Sequence, residues 1–201
     1  MYKASLSRLT HSLMIAAAAA SSACTNDAPL GVSRGAAPGA RVAASAEATS
    51  GAADRGPDLT GCEHLRAPEG SKLVAHMYAA GAQIYRWSGT AWVFAGPSAV
   101  LYSDAAGSDQ VGTHYAGPTW ESSDGSTVRG SLPVACPVGS NAIPWLRLTG
   151  TPGERSGIFR RATTIQRVNT VGGTIPTEPG TAPGDEKHVP YAAEYYFYRA
   201  Q

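Results

Sequence analysis

Charge of either sign is sparse in this sequence, and neither sign prevails. Charged residues make up 15% of the 201, with 16 Lys+Arg against 15 Asp+Glu. Within residues 60–201 the balance is 11 basic to 11 acidic, a formal charge of zero. A neutral domain lacks the electrostatic footprint of a nucleic-acid binder, and no polybasic segment is present to hold an anionic lipid surface. No apolar run approaches the roughly 20 residues that a helix needs to span a bilayer. Aromatic residues are absent from residues 25–58. Also missing are the Gly-x-Ser-x-Gly elbow, the Walker loop, the dinucleotide fingerprint and His-Glu-x-x-His. Cysteine is limited to Cys24, Cys62 and Cys136. That is too few for a zinc site without well-spaced histidines, and Cys62-Glu63-His64 is a weak signal for one. No metal and no cofactor are expected.

The N-terminus reads as a targeting segment over residues 1–23. Lys3 and Arg8 supply a positive start, residues 13–20 form a short apolar run, and Ser21-Ser22-Ala23 offers the small residues a signal peptidase requires. The ending Ser-Ser-Ala-Cys is similar to a bacterial lipobox, in which the cysteine is acylated, although Ser21 stands where Leu is usual. Lipid attachment at Cys24 is therefore expected, anchoring the protein to a membrane. Ordinary cleavage after Ala23, leaving a free thiol, is the alternative. Thr25 after the cysteine favours an outer-membrane or cell-envelope destination over inner-membrane retention; without lipid the protein would be periplasmic or secreted.

Residues 24–59 read as a disordered tether. Their only larger apolar residues before Asp58 are Leu30, Val32 and Val42, too few to offset the entropy of ordering. As a coil the stretch reaches about 30 Å. A single domain follows over residues 60–201. With Gly 23 and Pro 14 in the chain, it favours turns over helices. Short alternating runs recur at 73–78, 83–87, 91–94, 99–102, 111–115, 119–121, 127–129, 143–148, 158–168 and 191–199. Turn signals separate them at Ala79-Ala80-Gly81, Ser88-Gly89, Gly96-Pro97, Gly117-Pro118 and Asp124-Gly125. The expectation is an all-β domain, an antiparallel sandwich or barrel of about 8–10 short strands. Over 191–199 both faces carry aromatics, as in a strand covered on both sides; an aromatic face lining a cavity is the alternative. If Cys24 takes lipid, Cys62 and Cys136 remain as one pair, either a disulfide or two unrelated thiols.

Several strings then resemble one family. They are Gln-Ile-Tyr at 83–85, Val-Gly-Thr-His-Tyr-Ala-Gly-Pro-Thr-Trp-Glu at 111–121, Asp-Gly-Ser at 124–126 and Ile-Pro-Trp-Leu at 143–146. Thr-Ile-Gln-Arg-Val-Asn-Thr-Val-Gly-Gly at 164–173, Val-Pro-Tyr at 189–191 and Tyr-Tyr-Phe-Tyr at 195–198 complete the set. Together they resemble domain of unknown function 3455, a family of exported bacterial and secreted fungal proteins, over about residues 70–200. The resemblance brings no activity with it. Members often carry Cys where Trp87 stands and another Cys ahead of the final Val-Pro-Tyr. Both are missing here, which implies that they are bonded in relatives and that Cys62–Cys136 replaces that staple.

The chemistry-bearing residues gather around His114. Gly112 and Gly117 clear space beside it, and Gly117-Pro118 reverses the chain so that Trp120 and Glu121 can approach. A His114–Glu121 pair with Asp124 would suit acid/base or metal-dependent hydrolysis; a buried His114 bonded to Glu121 to lock the corner is the bland alternative. His114, Tyr115, Trp120 and Glu121 are the expected ligand-binding residues, with Arg167 as an opposing charge, although Arg160, Arg161 and Arg167 also fit plain surface arginines. Three functions stand open. The first is a non-enzymatic module binding a small molecule or carbohydrate on aromatic side chains. The second is the hydrolase, and the third a purely structural envelope protein.

Overall fold

The computed structural model describes residues 56–201. The signal segment, Cys24 and the tether through residue 55 lie outside the described residues. Eight strands follow one another: β1 (Lys72–Trp87), β2 (Trp92–Tyr102), β3 (Gln110–Tyr115), β4 (Thr119–Ser122), β5 (Thr127–Cys136), β6 (Trp145–Pro152), β7 (Thr164–Gly172) and β8 (Glu186–Arg199). Each pairs antiparallel with the next, and β8 returns to β1, so the sheet closes as an up-and-down barrel. No helix of the described residues is long and apolar enough to cross a membrane. A ring of eight strands encloses just enough room to be filled by side chains or to hold one small ligand.

Two expected turns are absorbed into long strands. Ala79-Ala80-Gly81 lies inside β1, paired with Leu101, Val100 and Ala99. A Cβ on Gly81 would stand 2.5 Å from the Ala99 Cα, so the small residues allow β1 and β2 to approach rather than turn the chain. Gly96-Pro97 lies within β2, where Gly96 takes φ +151 and the register shifts opposite Ile84/Tyr85. There the pair makes a bulge, the one place inside a sheet where proline is at home. The run expected at 158–168 divides: Ile158–Arg161 forms a turn, and the strand begins at Thr164.

The inner face is built by alternation. On β8, Tyr191, Ala193, Tyr195 and Phe197 point inward and join Met77, Leu101, Trp120, Val128 and Ile165 in the main core. On its outer face Tyr196 and Tyr198 are also buried, under Leu59, Cys62 and Leu65. The last strand is thus covered on both sides, as its two aromatic faces suggested. The covering segment includes a 3₁₀ turn (Glu63–Leu65), and its packing reaches back to Leu59, inside the stretch read as tether. A Cys62–Cys136 disulfide pins it to the end of β5. Gln166 Nε2 donates to the Leu65 carbonyl at 2.7 Å.

One end of the barrel is closed by Phe159, fully buried and 4.6 Å from the Phe197 ring. Asp124 holds this plug. Its carboxylate accepts from the Ser126 amide at 2.8 Å and hydroxyl at 2.6 Å, and from the Ile158 amide at 2.8 Å. The Ser126 hydroxyl in turn accepts from the Phe159 amide at 3.1 Å. The hairpins of a meander alternate between ends, so the β3–β4 turn lies at the other end, with the open mouth.

Candidate functional site

Inside that mouth is a cavity of about 270 Å³. His114, Trp120 and Arg167, three of the residues singled out from the sequence, line it together with Gln83, Leu146 and Tyr195. The register explains the meeting. His114 pairs with Ala99 on one side and Trp120 on the other, and Arg167 pairs with Leu146 and Tyr195. Directly paired residues share a face of the sheet, so all of these turn inward. Gly130 makes the room for Trp120: a Cβ there would stand 3.0 Å from its ring.

His114 is 3% exposed. Its ring stacks on Trp120, with centroids 4.2 Å apart and planes 8° from parallel, and Tyr195 meets it edge-on at 5.2 Å. Nδ1 donates to the Thr119 carbonyl at 2.9 Å, leaving Nε2 as a lone-pair acceptor. Burial pushes the imidazole down to about 3; the Thr119 bond opposes the shift and the Arg167 charge adds to it. The ring is neutral at ordinary pH. A group held so low is a poor general base near neutrality, since the effective catalytic base titrates close to the working pH.

Glu121 is elsewhere. It pairs with Thr113 on the outer face, where Tyr115 donates to it at 2.9 Å. The expected approach of Glu121 to His114 therefore does not form, and the partner that locks the corner is the Thr119 carbonyl. Tyr115 likewise belongs to the outside. Asp124 sits at the plugged end as the anchor of its turn, with its carboxyl held below the usual range chiefly by the Ser126 hydroxyl. Arg160 and Arg161 are exposed in the turn beside Phe159, so of the three arginines only Arg167 enters the barrel.

Three donors of the cavity lining lack partners. Gln83 Nε2, Trp120 Nε1 and Arg167 Nε are buried with no hydrogen-bond partner. Arg167 makes one side-chain bond, from Nη2 to the Pro144 carbonyl at 2.8 Å. The hydroxyl of the lining residue Tyr195 lies 3.5 Å from that of Tyr191, and burial raises both phenols far above the ordinary range. Gln83 and Tyr195 were not among the expected site residues. Gln83 had a signal in the sequence: it is a polar residue in step with Tyr85 on an otherwise apolar alternation.

A second constellation, also unforeseen, lies outside the barrel. His76 Nε2 is 2.8 Å from the Glu194 carboxylate, and its ring stacks on Tyr196 at 4.0 Å. Tyr196 and Asn169 both donate to Glu194, at 3.0 and 2.9 Å. The carboxylate is fully engaged, and the group ties β1, β7 and β8 together. His188 stands 3.7 Å from Glu186 on the surface, and His64 lies 3.2 Å from the Ala135 carbonyl. Among the described residues no three His, Cys, Asp or Glu side chains gather as a metal site.

The fold and its cavity define a closed up-and-down β-barrel with a small internal chamber at one mouth. Residues 68–199 match the family model described as Protein of unknown function (DUF3455), and the chain belongs to that family. Neither the curated proteins nor the solved structures hold a match to it. Trp87, at the end of β1, bonds through its backbone to Gly184 and Asp185. Its side chain lies against Gly180, where a Cβ would stand 2.5 Å away. A bulky indole thus fills the contact between β1 and the β7–β8 loop.

Proposed function

We propose that this protein is a non-enzymatic binding module that takes a small, largely apolar molecule into the mouth of its barrel. The observation that carries the reading is the cavity of about 270 Å³, walled by aromatic rings yet holding three buried, unpartnered N–H groups. An unmade hydrogen bond of this kind costs about 1–3 kcal/mol, and a ligand oxygen removes the cost. An apolar chamber with a few convergent polar groups is the usual form of a small-molecule site, and barrel mouths are a common place for one. A carbohydrate is a poorer fit, because its many hydroxyls would face apolar walls.

The test uses 3-phenylpropanamide, neutral and of suitable size, titrated into the purified full chain by calorimetry. Saturable binding is expected, weakened about tenfold or more when Leu146→Trp fills the chamber. No heat of binding to the wild type would remove the reading.

The module is further proposed to stand on a lipid anchor at Cys24, on the strength of the Ser21-Ser22-Ala23-Cys24 ending. Expressed in a bacterium with a lipoprotein pathway, the wild type should yield an acylated N-terminal peptide by mass spectrometry and Cys24→Ser should not. An unmodified wild-type peptide refutes the anchor.

A further inference from the structure

We infer that the molecule received by the barrel is a monocarboxylate with a compact, aryl-sized body, and that Arg167 receives its carboxylate. The inference rests on the cavity reading above and goes one step past it, to the charge of the ligand.

Arg167 is the starting point. It comes from the inner face of β7, between the cavity-lining residues Leu146 and Tyr195. No Asp or Glu lines the cavity. The ion pairs among the described residues are His76–Glu194, Arg86–Glu186 and His188–Glu186, and none involves Arg167. The groups on which its charge acts are His114, Tyr85, Tyr191 and Tyr195. All four are neutral near pH 7, since burial lowers the imidazole and raises the phenols. The guanidinium therefore has no counter-charge inside the barrel.

A half-buried cation without an anionic partner is a ready receptor for an anion. Carboxylate suits the vacancy in the hydrogen bonding. The guanidinium fork matches its two oxygens. Gln83 Nε2 and Trp120 Nε1 add further donors without partners. The size follows from the volume. An engineered cavity of about 150 Å³ holds benzene, so about 270 Å³ holds roughly a dozen non-hydrogen atoms. The body is read from the walls: Phe94, Pro97, Pro118 and Leu146 give the cavity an apolar lining, backed by the stacked His114–Trp120 pair and the edge-on Tyr195, which suits a compact apolar body.

The experiment compares three probes of matched size on the full chain at pH 7: 3-phenylpropanoate, 3-phenylpropanamide and 3-phenylpropylamine. The carboxylate should bind about 10–100-fold more tightly than the amide, and the amine more weakly than either. Arg167→Gln should weaken carboxylate binding far more than amide binding and so erase the preference for the carboxylate. Arg167→Lys, which keeps the charge, should restore part of it and serves if the glutamine variant does not fold. Equal binding of carboxylate and amide to the wild type overturns the inference and leaves the cavity reading standing. A preference that survives in both variants overturns the role of Arg167. Binding of none of the three overturns both readings.

Discussion

Acidification from pH 7 to pH 4 should cost this protein stability through one buried imidazole, and His114→Gln should abolish that part of the loss. His114 titrates near 6.5 when unfolded and near 3 in the barrel, where burial disfavours its charged form. Between those values the unfolded chain holds a proton that the folded chain does not. Stability therefore rises with pH across this window, is fully present above about 6.5, and falls as the pH drops toward 3. The slope approaches about 1.4 kcal/mol per pH unit, on the order of 4–5 kcal/mol over the whole window. Urea unfolding at several pH values checks it. The difference in unfolding free energy between wild type and His114→Gln should shrink or reverse as pH falls from 7 to 4. Carboxylates such as Asp124, whose own protonation also weakens the fold in acid, are present in both proteins and cancel. A difference that stays constant with pH would show that His114 takes up its proton in the barrel as readily as in the unfolded chain.

Removing the Cys62–Cys136 bond, by the double change Cys62→Ser and Cys136→Ser, should destabilise the domain by about 2–5 kcal/mol. The bond spans a sequence separation of 74 and closes the unfolded chain into a large loop. Closing such a loop stabilises by about 4 kcal/mol in the chain-entropy account. It also fixes the segment that covers β8 from outside. Leu59 and Leu65 are buried against Val168, Tyr196 and Tyr198 only while that segment is held down. The double variant should thus show a lower urea midpoint and faster tryptic cleavage after Arg66. A loss below about 0.5 kcal/mol, with unchanged cleavage, would mean that the packing alone secures the segment.

The last strand and the β3–β4 corner were legible in the sequence because their signals do not conflict. Period-two alternation runs through 191–199, and Asp124-Gly125 admits few conformations besides a turn; Gly117-Pro118 turns the chain where Gly96-Pro97, the same pair, only bulges a strand. Ala79-Ala80-Gly81 was not, because small residues serve a turn and a close strand approach equally well. The His114 corner shows the sharper limit. Its location was readable, but which neighbour shares its face depends on hairpin register, and a slip of one residue exchanges every side chain between inside and outside. His114 opposite Trp120 puts Glu121 on the outer face. Gln83 and Tyr195 escaped for another reason. Tyr195 meets Arg167 through the β7–β8 register and Gln83 shares the cavity from β1, and alternation within a strand gives neither the register of a partner strand nor which strands face one another once a sheet closes.

Closure has a consequence in time. Every pairing in the barrel joins neighbours in the chain except the seam between β1 and β8, the longest in register. The first stave therefore waits for the last, and the loop entropy of that final contact is met only when the whole domain is available. A chain emerging from a ribosome or a translocation channel would carry β1 as an open edge until Arg199 had cleared the exit. Until then the chamber would have one wall missing, Tyr195 among the absent parts, so no ligand could assist assembly before the seam was sealed.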